Sequence, residues 1–282
     1  MILMKQSPRR ALIPMGLFLL LTLAPIFPMA ADLPLINGHI HYSHDAWERL
    51  SAEQAVAILR KAGLKKALVS SSSDEGTQRL YAVAPDLVVP VLRPYRKRGE
   101  LGKWLHDETV GSMLAERLRK YRYAGIGEFH ASGEAVELPV MQKVIELAKQ
   151  YRIFLHAHSD RDAIERIFKH NPDALVLWAH AGFEPVDEIR ATLEKYPNLW
   201  ADLAFRDELY LADELDPEWR QLFLDYPDRF LLGTDTYTPD RWYFVVENAN
   251  ESRDWLKLLP EEVARNIAYR NAERLLIKVD WQ

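Results

Sequence analysis

The chain has 282 residues, of which 48% are hydrophobic and 27% are charged, and its formal net charge is −5. This length and composition suit a protein with one large core, and exclude a disordered or wholly membrane-embedded chain. Neither the net charge nor any basic cluster indicates a nucleic-acid-binding protein. The absence of cysteine excludes disulfides, a thiol nucleophile, a cysteine-ligated zinc site and a lipid-anchored cysteine.

The N-terminal segment, residues 1–31, has the pattern of a signal peptide. Lys5, Arg9 and Arg10 precede an apolar run over residues 11–31, which ends in the small residues Ala30 and Ala31. An uncleaved anchor is the alternative, because the run is almost long enough to span a bilayer. Both readings predict an exported protein, either periplasmic or held at the membrane by residues 11–31, and residues 32–282 are predicted to form its single domain.

After residue 32, short apolar runs alternate with longer segments of helical period, and the runs predict eight strands. The predicted strands cover residues 35–42, 66–71, 87–92, 124–129, 153–158, 174–180, 199–204 and 230–234, and predicted helices include residues 52–62, 138–151, 162–169, 186–196 and 217–225. Such alternation is typical of a parallel sheet covered by helices. Eight repeats predict an α/β fold, the (β/α)8 TIM barrel. A doubly wound open sheet is the alternative, but the glycine-rich phosphate turn usual after its first strand is missing.

Residues that can bind metal lie at the predicted strand ends, where a barrel of this kind builds its active site. The chain has nine histidines, and five of them fall at three strand ends. The candidates are His39 and His41 at the end of the first strand, Glu128 at the end of the fourth, His156 and His158 at the end of the fifth, His180 at the end of the sixth and Asp235 at the end of the eighth. Imidazole and carboxylate are ligands of zinc, manganese, iron and nickel. The sequence therefore predicts one or two divalent metal ions, with zinc as the first choice.

Each of these residues also has an ordinary structural explanation. A lone His-X-His is a weak signal, Glu128 could pair with an arginine such as Arg93, and Asp235 could cap the following helix. All of these structural explanations would have to apply at once, at five different strand ends. We therefore favour a metal centre. Alternate residues of a strand point to the same side, so His39 and His41 are expected to face inward while Ile40 packs outward.

The chain resembles the amidohydrolase superfamily of metal-dependent barrels, and in particular its amidohydrolase 2 group. The resemblance runs from about residue 33 to the C-terminus and is carried by His39-Ile-His41, by the late-strand histidines and by Gly233-Thr-Asp235. The segment from Asn266 to Leu275 resembles the closing helix of that group, which is expected to pack under the barrel. Where the group often has aspartate two residues before the first histidine, this chain has Asn37.

The resemblance implies a role for each matching residue. His39 and His41 would bind the first metal, and Glu128 stands where members have a carboxylated lysine or a glutamate. His156 would be the ligand of the fifth strand, with His158 as the alternative. His180 would bind a second metal or polarise the substrate. Asp235 would complete the metal shell and act as general base.

The predicted function is hydrolysis of a small-molecule ester, lactone, amide or phosphoester by metal-activated water. A metal-dependent decarboxylase of the same superfamily is the first alternative, and an exported metal-binding or ligand-binding protein with a decayed site is the second. Candidate substrate-binding residues at the mouth are Arg93, Tyr95, Arg206 and Tyr237. An arginine there could hold a carboxylate or phosphate, which would indicate an anionic substrate, or it could form a structural ion pair.

Overall fold

The computed structural model describes residues 33–281, so the predicted signal segment, residues 1–31, lies outside the described residues. Eight parallel strands follow one another around a barrel in chain order. They are β1 (Leu35–Ile40), β2 (Leu64–Ser70), β3 (Val88–Leu92), β4 (Gly125–His130), β5 (Phe154–His158), β6 (Val176–Trp178), β7 (Leu199–Asp202) and β8 (Phe230–Leu231). The amide of Gly38 donates to the carbonyl of Leu232 (2.7 Å) and so joins the last strand to the first. The predicted TIM barrel is confirmed.

Helices connect the strands and cover the outside of the barrel. They are α1 (His44–Trp47), α2 (Ala52–Lys61), α3 (Asp74–Val83), α4 (Thr109–Lys120), α5 (Pro139–Tyr151), α6 (Arg161–His170), α7 (Val186–Lys195), α8 (Pro217–Asp225), α9 (Val245–Leu256), α10 (Glu261–Arg265) and α11 (Asn271–Ile277). A small antiparallel hairpin, Tyr210–Leu211 with Glu214–Leu215, lies between β7 and α8. Within residues 33–281, no helix is long and apolar enough to cross a membrane.

Local chemistry explains where several helices begin. Ser51 forms a capping box with Gln54 at the start of α2, because each side chain bonds the other residue's backbone amide. Asp160 caps α6 by accepting from the amide of Ala163. These caps satisfy amides that have no partner inside the helix, and so they fix the points at which loops give way to helices.

Two apolar layers hold the barrel together. The larger layer lies between the strands and the surrounding helices, and it includes Ile40, as expected for a side chain that packs outward. The smaller layer fills the barrel interior with residues such as Ile36, Leu177 and Leu231, and it continues into Leu275 of α11. The closing helix therefore packs under the barrel, as predicted, and it leaves the opposite end, at the carboxyl ends of the strands, for chemistry.

Candidate metal centre

His39 and His41 project into the mouth of the barrel, and both are fully buried. The partner of each Nδ1 is a pure acceptor: the carbonyl of Ser70 for His41 (2.6 Å) and Asp202 Oδ2 for His39 (3.1 Å). Each Nδ1 therefore carries a proton, which leaves each Nε2 as the atom that can bind a metal or a second proton. The two Nε2 atoms lie 3.1 Å apart. At this distance two lone pairs would repel each other, so a metal ion or a proton must lie between the two nitrogens.

Glu128 places its two carboxylate oxygens beside two different pairs of histidines. Its Oε2 lies 3.2 Å from His41 Nε2 and 3.5 Å from His39 Nε2. Its Oε1 lies 2.8 Å from His158 Nδ1 and 3.5 Å from His180 Nε2. A carboxylate placed in this way can bridge two cations.

Asp235 faces the same histidines from the eighth strand. Its Oδ1 lies 3.2 Å from His41 Nε2 and 3.8 Å from His39 Nε2, while its Oδ2 lies 3.8 Å from His180 Nε2. Among the residues that the structure describes, Oδ1 is buried and has no hydrogen-bond partner. A buried carboxylate oxygen without a partner is costly, so its position favours a cation there. Asp235 therefore does not act as a helix cap, which was the alternative role for this residue.

The distances among these atoms fit a first-row metal ion. Bonds of about 2.1 Å put neighbouring ligand atoms about 3.0–3.4 Å apart in octahedral or tetrahedral geometry. His39 Nε2 and His41 Nε2 lie 3.1–3.8 Å from each other and from the facing oxygens of Glu128 and Asp235. His39, His41 and Asp235 also form a compact group with ligand atoms all within 4.8 Å of one another. The residues present therefore fit a metal.

His180 lies beyond β6 and not at its end, because the strand stops at Trp178. His180, Ala181 and Gly182 all have left-handed φ, between 48° and 67°. A Cβ at Gly182 would lie 2.1 Å from the ring of Trp178, so this tight turn needs glycine. The turn lets His180 Nδ1 donate to the carbonyl of Ala204 (3.0 Å), which leaves its Nε2 lone pair facing Glu128 and Asp235. The predicted strand 174–180 was wrong at its end, but the side chain reaches the site.

Asp202, at the end of β7, was not among the predicted site residues. It is fully buried, and its Oδ2 accepts from His39 Nδ1 and from His156 Nε2 (2.9 Å). Its signal in the sequence was the same as for the others, since Trp200-Ala-Asp202 puts a carboxylate at a strand end.

The buried charges shift one another's titration. Burial alone would lower the pKa of His39, but the carboxylates of Asp202, Asp235 and Glu128 raise it well above its ordinary value. Burial would raise the pKa of each carboxyl group, yet the positive charge of His39 holds all three below their usual range. Without metal, the centre is therefore a set of ionised carboxylates around a protonated histidine.

The two histidines of β5 lie at different depths. His156 is buried, and its Nε2 faces Asp202 and not Glu128; burial lowers its pKa to about 4 and so keeps it neutral. His158 is one-third exposed and contacts Glu128. The ring of His130 stacks on that of His158, with centroids 4.1 Å apart. Of the two alternatives for the fifth-strand ligand, the geometry favours His158, and the ligand role predicted for His156 stays a prediction.

The two arginines predicted to bind substrate have partners inside the protein. Arg93 is buried and donates Nη2 to Glu128 Oε2 (2.6 Å). Arg206 is buried and donates to the carbonyls of His180 (3.1 Å) and Glu184 (2.9 Å), so it supports the His180 turn. Neither guanidinium group is turned to solvent.

The two tyrosines in that set have different surroundings. Tyr95 is buried with its hydroxyl 2.9 Å from His130 Nδ1. Tyr237 is 57% exposed and lines a cleft of about 390 Å³ with Arg93, Tyr95 and Lys97, a size that suits a small molecule.

A row of rings borders the site on the side of His180. Phe183 is 54% exposed and stacks on His180 with centroids 4.6 Å apart. Phe205 lies 5.6 Å from His180 and 5.8 Å from Tyr237. Phe183 and Phe205 both have left-handed φ, 56° and 58°, which is strained for bulky residues. Such strain is concentrated at functional sites, and here it turns two aromatic rings toward the mouth.

Comparison with known proteins connects this geometry with a family. Residues 104–277, more than half of the chain, match the model of the amidohydrolase family. The chain has no match among curated protein sequences.

Several solved structures share the fold. An uncharacterised TIM-barrel protein from Bordetella bronchiseptica superposes with a TM-score of 0.59, at 17% identity over 87% of this chain and 99% of that one. A probable 2-pyrone-4,6-dicarboxylic acid hydrolase from Acinetobacter baumannii gives 0.60, at 11% identity over 86% and 98%. A β-aspartyl dipeptidase from Fervidobacterium islandicum gives 0.51, at 14% identity over 86% and 72%.

Proposed function

We propose that this chain, which belongs to the amidohydrolase family and is an enzyme, is a metal-dependent hydrolase that acts on small molecules. The observation that carries the proposal is the convergence of three imidazole Nε2 atoms on two carboxylates. His39, His41 and His180 each have the Nδ1 proton committed to a fixed acceptor. Their Nε2 atoms therefore face Glu128 and Asp235 as ready ligands.

We assign a pair of ions to this centre. His39, His41, Glu128 Oε2 and Asp235 Oδ1 would hold the first ion. The second would be held by His158, His180, Glu128 Oε1 and Asp235 Oδ2. Zinc remains the first choice, with manganese, iron or nickel as alternatives that this ligand set also suits. A divalent metal in this position supplies a Lewis acid and lowers the pKa of water.

Asp235 is the proposed general base. Burial would raise its pKa, but His39 and His41 lower it, so its carboxylate is ionised at neutral pH. It would take the proton from the attacking water as the new bond to the acyl or phosphoryl centre forms. It would return that proton to the departing oxygen or nitrogen as the old bond breaks, so that water is consumed and the charge balances.

The ring-lined wall, formed by Phe183, Phe205 and Tyr237, is the proposed contact surface for the apolar part of the substrate. Tyr237 also lines the cleft described above, and this cleft includes the exposed Lys97. An anionic substrate stays a prediction. Lys97 supports an anionic substrate better than Arg93 or Arg206 does, because both arginines are hydrogen-bonded to other groups of the protein.

Replacing Phe183 by alanine is expected to raise KM by about 2–10-fold, since a ring contact is worth about 0.5–1.5 kcal/mol. The value of kcat should change little, because Phe183 binds no reacting atom. Steady-state kinetics checks this, with Ile277→Ala as the control; that residue is 81% exposed on α11, at the other end of the barrel. An unchanged KM would remove Phe183 from the binding surface.

Metal uptake at pH 7 is expected to release about one proton per chain. The carboxylates raise the pKa of His39, so the metal-free protein holds a proton on the atom that the metal needs. Because the pKa of His39 is raised, a proton competes with the metal for this histidine more strongly as the pH falls. The metal affinity should therefore be lower at lower pH. Calorimetric titrations in buffers of different ionisation enthalpy measure the protons released. Identical heats in all buffers would mean that no proton is released, and this would contradict a protonated His39 in the metal-free protein.

A substrate panel tests the reaction class. Metal-loaded protein should hydrolyse at least one class among esters, lactones, amides and phosphoesters, and chelation should abolish the activity. Carbon dioxide release from carboxylated substrates, without any hydrolysis, would instead favour the decarboxylase. Inactivity in both assays with metal bound would favour a binding protein.

A further inference from the structure

We propose that Asp202 is a positioning residue that holds His39 and the His180 turn in place, and that His156 acts through Asp202 instead of binding metal. This inference rests on the proposed metal centre. It gives a role to Asp202 and His156, two buried residues that have no part in the proposed mechanism.

Asp202 has a partner for each of its four lone-pair positions. Its Oδ2 accepts from His39 Nδ1 (3.1 Å) and His156 Nε2 (2.9 Å). Its Oδ1 accepts from the backbone amides of His180 (3.2 Å) and Ala204 (3.1 Å). A carboxylate offers about four acceptor positions, so none is left for a metal. Asp202 lies within 4.8 Å of ligand atoms of His39 and His180, but this full set of hydrogen bonds argues for support and not ligation.

The same carboxylate links two histidines that belong to different ion sites. By accepting from His39 Nδ1, Asp202 fixes the tautomer whose Nε2 faces His41. By accepting from the amide of His180, it holds a left-handed turn that would otherwise be costly for a histidine. A shift of Asp202 would therefore disturb both sites together.

His156 is one of the four hydrogen-bond donors to Asp202. It is 2% exposed, and its Nε2 points to Asp202. Its ring lies edge-on to that of His39, with centroids 4.5 Å apart. Among the described residues it belongs to none of the three compact ligand groups. Its N–H fixes the position of the Asp202 oxygen that His39 needs.

A matched pair of variants tests the role of His156. In His156→Gln, the amide nitrogen can occupy the place of Nε2 and still donate to Asp202, whereas His156→Leu keeps the bulk and removes the donor. We expect His156→Gln to bind metal within about threefold of wild type, and His156→Leu about 10–100-fold more weakly. At saturating Co²⁺, both should show the wild-type visible spectrum and the wild-type number of ions. Equal losses in both variants, with a changed spectrum, would make His156 a ligand and overturn the inference.

The variant Asp202→Asn tests the role of Asp202 directly. An amide offers an acceptor on one side and donors on the other, so it cannot satisfy the two imidazoles and the two backbone amides at once. We expect metal affinity to fall about 10–100-fold while the number of ions at saturation is kept. Asp173→Asn, an exposed residue, is the control. An affinity within threefold of wild type would overturn the role of Asp202.

Two outcomes keep this test separate from the proposed function. Wild-type protein that binds no metal would refute the metal centre, and the inference would fall with it. Wild-type protein that binds metal, with unchanged His156→Leu and Asp202→Asn, would refute the inference alone. If Asp202→Asn does not fold, as judged by circular dichroism, the His156 pair decides the question.

Discussion

Replacement of Asp235 by asparagine is expected to lower kcat by about 10²–10⁴-fold, the range for loss of a general base. Asparagine keeps the shape of the side chain and an oxygen that can face His41, but it cannot accept the proton of the attacking water. The backbone of Asp235 has a left-handed φ of 52°, and asparagine is among the few residues that adopt this conformation readily. The variant should therefore fold, and the loss should be chemical.

The measurement is kcat and KM at saturating metal, with the number of bound ions determined on the same samples. Asp240→Asn is the control, because this aspartate follows closely in the chain and its side chain is 77% exposed. A kcat within about threefold of wild type, with metal bound, would exclude Asp235 as the base.

Replacement of Glu128 by glutamine is expected to lower the free energy of unfolding of the metal-free protein by about 3–5 kcal/mol, as for other buried ion pairs that lose one partner. Arg93 and Glu128 are both almost fully buried, so the remaining guanidinium would lack its counter-charge. Burial would raise the pKa of Glu128, but His39 and Arg93 hold it below its usual range. The difference between variant and wild type should therefore be complete at neutral pH and shrink as the pH falls through that lowered pKa.

Denaturant unfolding in the presence of a chelator measures this effect without the contribution of bound metal. The double variant Arg93→Met with Glu128→Gln should be more stable than Glu128→Gln alone, because it leaves no unpaired charge. The exposed pair Arg60–Asp86 supplies the control, and Asp86→Asn should cost no more than about 1 kcal/mol. If the buried and exposed variants lose equal stability, the Arg93–Glu128 pair has no special role.

Much of the barrel was predictable because its signals are local. Buried parallel strands appear as short runs of Val, Ile and Leu, and all eight were located, with errors mainly at their ends. Strand β6 stops at Trp178 because the next residues form a turn that depends on Gly182 and the Trp178 ring, a contact that apolar patterning does not reveal. Helices α1, α3, α4, α9 and α10 were not among the helices named from the sequence.

The site was predictable only as a set of residue types at strand ends. His156 and His158 are alternate residues of one strand, so periodicity gives them the same side and cannot decide which contacts Glu128. Their partners differ instead, since His156 faces Asp202, which lies 46 residues further along the chain. The roles of Arg93 and Arg206 likewise depended on partners, Glu128 and the His180 turn, that are brought close only by the fold.

The most direct test of the metal centre is the number of divalent ions bound per chain, measured by elemental analysis after equilibration with metal and removal of the excess. The arrangement of Glu128 and Asp235 predicts about two ions in the wild type, and loss of the ion held by His39 and His41 when both are changed to glutamine. One ion in the wild type would contradict the two-ion arrangement. A folded wild-type chain that holds no stoichiometric metal would contradict the proposed metal-dependent hydrolase as a whole.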